Sequence, residues 1–326
     1  MNVLIATLAG IVPMLVYALL LYWMDRYEKE PLSLVGGVFL WGVMPAAIFS
    51  LITQLIFGFP LTLLDQSGLL AEVVGAIFIA PVTEEFFKGL AVLAVFLLWR
   101  NEFDSIFDGI IYGGMVGFGF AAIENVLYFL DADFSLIFAR TVLFGLNHAF
   151  FTSLTGIGFG IARHARKALV RWLAPLGGLI AAMTAHGLHN AIVTFAAEAP
   201  VLCLLAILAD WGGVLFVFVV MLLAIRRERQ WIVDELREEV ALQTLSENQY
   251  ALVSSPIRRM GARLNALFSG GPQAYWRAGR YFQMLTELAY KKHAYQRRGE
   301  AGASLSLIDA LRVKTRALSA ELADLA

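Results

Sequence analysis

VLIATLAGIVPMLVYALLLYW, residues 3–23, is a run of 21 residues without a charged side chain. Crossing ~30 Å of hydrocarbon takes roughly 20 mainly apolar helical residues, so this stretch is long enough to span a bilayer. No basic segment precedes it and no small-x-small cleavage site follows. Tyr22, Trp23 and Asp25 come instead, so the stretch is expected to stay in the chain rather than be removed as a signal sequence. Working outward, further stretches of the same kind lie at about 34–57, 69–99, 106–130, 136–162, 172–197 and 201–225. Composition agrees. Of 326 residues, 59% are hydrophobic and 16% charged, with mean hydropathy +0.71, against roughly 25% charged in a soluble domain. The expected fold class is an all-α polytopic membrane protein of about seven transmembrane helices, with the lipid bilayer as its solvent.

Basic residues orient the spans. Arg26 and Lys29 follow the first, Arg100 the third, Arg163, Arg166, Lys167 and Arg171 the fifth, and Arg226, Arg227 and Arg229 the seventh. The loops near 58–68, 131–135 and 198–200 hold no Lys or Arg. The alternation predicts the N-terminus outside and the C-terminus cytosolic, in a bacterial cytoplasmic (inner) membrane. It also predicts two domains: a transmembrane body, 1–225, and a cytosolic helical tail, 226–326. The tail holds 16 of the 25 Lys and Arg residues, interleaved with acids, which argues against a nucleic-acid partner. Turn signals at Ser254-Ser255-Pro256 and Ser269-Gly270-Gly271-Pro272 divide it. Helical apolar spacing then recurs in Tyr281/Leu285/Leu288 and Leu307/Ala310/Leu311/Leu318. A helical hairpin is the plain reading, and a cytosolic partner for it is the functional one. Cys203 is the sole cysteine, which excludes a disulfide scaffold.

Ionisable groups at bilayer depth cost roughly 2.5–3.5 kcal/mol each on insertion scales, so each needs a reason. The third stretch carries Glu84, Glu85 and Lys88; the fourth, Glu124 and Asn125; the fifth, Asn147 and His148; the sixth, His186, His189 and Asn190. Residues of this kind on four consecutive spans point to one shared interior site. Glu84 and Lys88, four apart, could simply neutralise each other. Glu85, turned ~100° from Glu84, then needs another use. Asn190, one turn after His186, is placed to orient that imidazole; His189 and Asn125 read as structural. Arg140 is expected to snorkel to the surface or to pair with Asp210. Pro81 is expected to kink its span, and Gly113, Gly114, Gly117 and Gly119 to allow close helix packing.

Carboxylates beside imidazoles in low dielectric suit water activation. Gly-x-Ser-x-Gly and His-Glu-x-x-His are absent from the sequence, which disfavours serine and zincin chemistry. The candidate catalytic residues are Glu84, Glu85, Glu124, His148, His186 and Asn190. No cofactor is expected, although Glu and His are also ligands for a divalent metal such as zinc. A non-enzymatic alternative uses the same carboxylates in an ion- or proton-coupled transporter or a sensor.

At these residues the chain resembles the PrsW family of intramembrane proteases, distant relatives of the CAAX prenyl endopeptidases. The resemblance rests on Asp25-Arg26-Tyr27-Glu28-Lys29-Glu30-Pro31, Ala80-Pro81-Val82-Thr83-Glu84-Glu85-Phe86-Phe87-Lys88-Gly89 and Asp108-Gly109-Ile110-Ile111-Tyr112-Gly113. It continues through Gly117 to Val126, Asn147-His148 and His186-x-x-x-Asn190. It covers roughly residues 10–195. It implies cleavage of transmembrane protein substrates, of which an anti-sigma factor is the type example. Glu84/Glu85 would be the paired-glutamate motif and His186/Asn190 its late partner, with Glu124 where the CAAX relatives place a histidine. His189 departs from the aromatic or apolar residue expected there, and the tail lies beyond what short members share.

Overall fold

Helix α1, Val3–Met24, turns Ala6, Gly10, Met14 and Ala18 inward, one residue per turn, and leaves Leu4, Leu8 and Leu19 more than half exposed. Small residues inside and leucines outside invert the water-soluble pattern and suit a helix whose surroundings are lipid. This computed structural model describes residues 2–25, 27, 29–65, 67–131, 133–196, 199, 201–299 and 303–321. Arg26 and Glu28 of the first loop motif, Glu198 and Pro200 of the last short loop, and the chain's final five residues lie outside the described set.

The remaining elements are α2 (Leu32–Trp41), α3 (Ala47–Leu64), α4 (Leu69–Val74), α5 (Ala80–Leu98), α6 (Ile106–Phe129), α7 (Phe134–Phe138), α8 (Asn147–His164), α9 (Ala168–Ala196), α10 (Val201–Ala241), α11 (Glu247–Val253), α12 (Pro256–Arg298) and α13 (Leu305–Glu321). One-turn π segments, Gly42–Ala46, Gly75–Ile79 and Ala139–Leu143, join α2 to α3, α4 to α5, and extend α7. There is no strand among the described residues. The expected all-helical membrane fold is what the chain adopts.

Six helical stretches are long and apolar enough to cross a membrane: Val3–Met24, Leu32–Leu64, Ile106–Phe129, Phe134–His164, Ala168–Ala196 and Val201–Ala241. The expected third stretch, 69–99, is not among them. It contains a π turn at Gly75–Ile79, as Leu32–Leu64 does at Gly42–Ala46, and is set apart by Glu84, Glu85 and Lys88 in the first half of α5. The physical reason is its use: it is the helix that bears the charges.

By internal contacts the chain forms two units, one of residues 1–24 and 30–222, the other of 25–29 and 223–326. In the first, α6 is almost wholly buried, packed by α1, α2 and α8. Its approach to α8 is backbone to backbone: a Cβ on Gly113 would lie 2.6 Å from the carbonyl oxygen of Thr152, and one on Gly117 would collide with that of His148.

The second unit has its own core, including Trp231, Ile232, Leu236, Val253, Leu285, Leu288, Ile308 and Leu311. Arg259 ties it together, donating to the carbonyls of Val253 (2.7 Å) and Tyr27 (3.1 Å) and to the Thr286 hydroxyl (2.8 Å). Ser255 caps α12, which breaks at Gly271, where φ is 76°; both expected turn signals therefore interrupt the helix path. On α13 the inward face is Ile308, Leu311 and Thr315, while Leu307 and Ala310 point outward. Of the expected set, Leu311 lies in the core and Leu318 packs against it, whereas Ile308 takes the place expected of Leu307 and Ala310 stays exposed.

Candidate active site

The site begins where α5 does. Pro81 follows directly on the π turn, and because Ile79 and Ala80 are in the right-handed helical conformation the helix path runs through it, so its missing N–H leaves a carbonyl one turn earlier without that helical bond. The irregularity expected at Pro81 takes the form of this π turn. Asn190 of α9 donates to the carbonyl of Ala76 in that turn at 2.8 Å. It therefore fastens α9 to the π turn and does not orient His186, contrary to the sequence expectation.

Glu85 is fully buried and both of its oxygens are engaged. Oε1 accepts from Lys88 Nζ at 2.6 Å and lies 3.0 Å from His186 Nδ1; Oε2 accepts from the Thr152 hydroxyl at 3.0 Å. Glu85 is thus the group that fixes His186. Glu84, one residue earlier, faces elsewhere. Its Oε1 accepts from Gln54 Nε2 at 3.2 Å. Its buried Oε2 has no hydrogen-bond partner among the described residues, and lies 3.5 Å from Lys88 Nζ and 3.9 Å from His186 Nε2.

Lys88 is the centre of the cluster. Its ammonium also lies 3.0 Å from His148 Nδ1 and 4.1 Å from the Phe120 ring centre. An ammonium can only donate, so His148 presents a lone pair at Nδ1 and carries its proton on Nε2, which donates to Glu124 Oε2 at 2.8 Å. Glu85 offers only acceptor oxygens, so His186 carries its proton on Nδ1 toward it, and the lone pair of the neutral ring falls on Nε2, 3.9 Å from Glu84 Oε2. The two imidazoles stand perpendicular, 5.2 Å apart, and His186 stacks on Phe151 at 4.8 Å.

Five of the six sequence candidates therefore meet: Glu84, Glu85, Glu124, His148 and His186. Arg140 pairs with Glu124 and donates to Asn125 at 2.8 Å. It neither snorkels nor meets Asp210. Asp210 instead accepts from Asn147 at 2.9 Å and lies 2.7 Å from His189 Nδ1. Sequence reasoning missed Gln54, Thr152 and Arg140 as members of this network. Gln54, an amide alone in an apolar stretch, carried a signal; Thr152 did not.

Three of these side chains also form a donor set suited to a divalent metal. Glu84, His148 and His186 offer one ligand atom each within 4.8 Å of one another. Two imidazoles and a carboxylate are a zinc-type donor set. Each imidazole has its other nitrogen held by a carboxylate, the usual outer support of a metal-binding histidine.

A buried cluster of carboxylates, imidazoles and an ammonium in an all-helical membrane body holds the groups that water activation needs. Comparison with known proteins narrows this to a protease. The family described as "PrsW family intramembrane metalloprotease" matches residues 30–226. Protease PrsW of Geobacillus kaustophilus is 36% identical over 160 residues, 49% of this chain and 67% of that protein. Protease PrsW of Bacillus subtilis is 30% identical over 192 residues, 57% of this chain and 81% of that protein. No solved structure matches the chain. The chain belongs to the PrsW family of intramembrane proteases.

Proposed function

We propose that this intramembrane protease hydrolyses a peptide bond of a membrane-anchored protein, the class an anti-sigma factor exemplifies, with Glu84 as the carboxylate that meets the attacking water. The observation that carries this is the division of labour in the glutamate pair. Glu85 is saturated by Lys88, His186 and Thr152, whereas the buried Glu84 Oε2 has no hydrogen-bond partner among the described residues and only the longer 3.5 Å ion pair to Lys88. Glu84 Oε2 takes the water's proton, the Lys88 ammonium stabilises the developing negative charge, and His186 Nε2, 3.9 Å from Glu84 Oε2, accepts that proton on its lone pair and relays it to the leaving amine, so that Glu84 ends ionised again. Glu124 and Arg140 hold His148.

Where a metal is bound, Glu84, His148 and His186 would hold it, and it would supply Lewis acidity and a more acidic water. The chain is placed in the bacterial cytoplasmic membrane with the N-terminus outside, and residues 226–326 are offered to a cytosolic partner. The transporter or sensor alternative gains nothing from the relatives, which are proteases by name.

In proteoliposomes with a single-span substrate, Glu84→Gln is expected to lower cleavage at least 10³-fold while the thermal midpoint stays within a few degrees. Activity within tenfold of wild type would remove Glu84 from this role. Elemental analysis of the purified wild type, read against Glu84→Gln, tests the metal.

A further inference from the structure

A groove of about 730 Å³ runs along α3 against Ala71 of α4, lined by Gln54, Ile56, Gly58, Phe59 and Thr62. Ile56 and Phe59 are more than half exposed, as are Leu51 and Leu55 on the same helix. That is the surface of an element facing hydrocarbon, so whatever fills the groove arrives from the lipid. The polar end of the groove is Gln54, and its amide donates to Glu84 Oε1. Thr62, the other polar lining side chain, spends its hydroxyl on the Phe59 carbonyl at 2.7 Å.

The groove is therefore apolar along its length, and one lining side chain, Gln54, links it by a hydrogen bond to the carboxylate assigned to the water. Its volume is that of a small-ligand site, room for a few residues of a span rather than a whole one. A helix must be locally unwound before a peptide bond can be attacked, and unwound backbone in hydrocarbon needs polar partners. An amide at the inner end, whose nitrogen is held by Glu84 and Thr83 and whose oxygen can accept from an unwound N–H, meets that need. A lipid acyl chain would make no use of it.

We propose that this groove seats the transmembrane segment of a single-span substrate, entering sideways from the bilayer with its unwound portion at Gln54. The inference rests on the protease reading above, and the experiment separates the two. The full-length protein, made inactive by Glu84→Gln, is reconstituted in phosphatidylethanolamine–phosphatidylglycerol vesicles. The probe is a single-span reporter peptide, a Leu/Ala segment interrupted by Gly-Pro. A photoreactive phenylalanine is placed at Ile56, at Phe59 or, as a control on the exposed face of α1, at Leu19.

Crosslinking to the reporter from positions 56 and 59 is expected to exceed that from 19 at least tenfold. Adding Gly58→Trp is expected to abolish it. No heavy atom lies within 4 Å of where a Gly58 Cβ would be, so the larger side chain enters the groove without displacing the fold. An unchanged thermal midpoint checks this. Equal crosslinking from position 19, crosslinks to lipid alone, or indifference to Gly58→Trp overturns the proposal. Specific crosslinks together with an active-site-intact protein that never cleaves would count against the protease mechanism and leave the groove standing.

Discussion

Glu84 and Glu85 differ by about 100° of helix rotation, and that angle separates their chemistry. Glu85 turns toward α8 and α9 and meets three donors; Glu84 turns toward α3 and keeps one oxygen without a hydrogen bond among the described residues. Lys88, three and four residues later, reaches both, but its shorter contact is with Glu85, 2.6 against 3.5 Å. Removing one partner of a buried ion pair leaves an uncompensated charge and costs about 3–5 kcal/mol. Lys88→Met should therefore lower the thermal midpoint in detergent sharply. The double variant Lys88→Met/Glu85→Gln should recover a large part of that loss, because neither charge is then stranded. Additive losses would show that the pair is not coupled. The spacing of Glu84 and Lys88 suggested a simple i,i+4 pairing. The structure prefers i,i+3 because Glu85, not Glu84, shares Lys88's buried face.

Among the elements, α6 positions the site by what it lacks. Its glycines let α8 approach until Thr152 can reach Glu85 and His148 can reach Glu124. A methyl group on Gly113 would press on the Thr152 carbonyl, and overpacking of this kind costs about 1–3 kcal/mol. Gly113→Ala should destabilise by that order and lower cleavage as well, since Thr152 is displaced from Glu85; an unchanged melting profile and rate would contradict the close approach. The short helix α4 depends on Asp65. Its carboxylate accepts from the Leu70 N–H (2.9 Å) and from the Ser67 hydroxyl and N–H. The Leu70 bond first, then those of Ser67, hold the Asp65 carboxyl below the ordinary range. A depressed carboxyl contributes order that is complete above its ordinary value of ~3.9 and is lost as pH falls through the lowered one. Exchange of the Leu69 and Leu70 amides, corrected for intrinsic rate, should therefore accelerate below pH ~4 and, in Asp65→Ala, at neutral pH too. Equal protection in the variant at pH 7 would dismiss the cap.

For the whole molecule, the alternation of basic loops predicts one orientation, which requires the charge-bearing 69–99 stretch to cross along with the six apolar ones. In a Cys203→Ser background, Ser67→Cys should react with an impermeant maleimide on intact cells, and Ser306→Cys only after permeabilisation. The opposite pattern would reverse the topology. Sequence by itself determined the all-helical membrane class, because hydropathy over roughly 20 residues is a property of composition that no packing alters. It also marked Glu84, Glu85, Glu124, His148 and His186, because each stands out against an apolar background that makes ionisable groups expensive. Tertiary structure alone decided who meets whom. Arg140 binds Glu124 and Asp210 binds His189; Asn190 fastens a π turn, and Gln54 joins the site from a helix 30 residues before Glu84. Pairing between helices depends on their rotation about their own axes and on how closely their backbones approach. One-dimensional spacing fixes neighbours along a helix but not the angle at which two helices face each other.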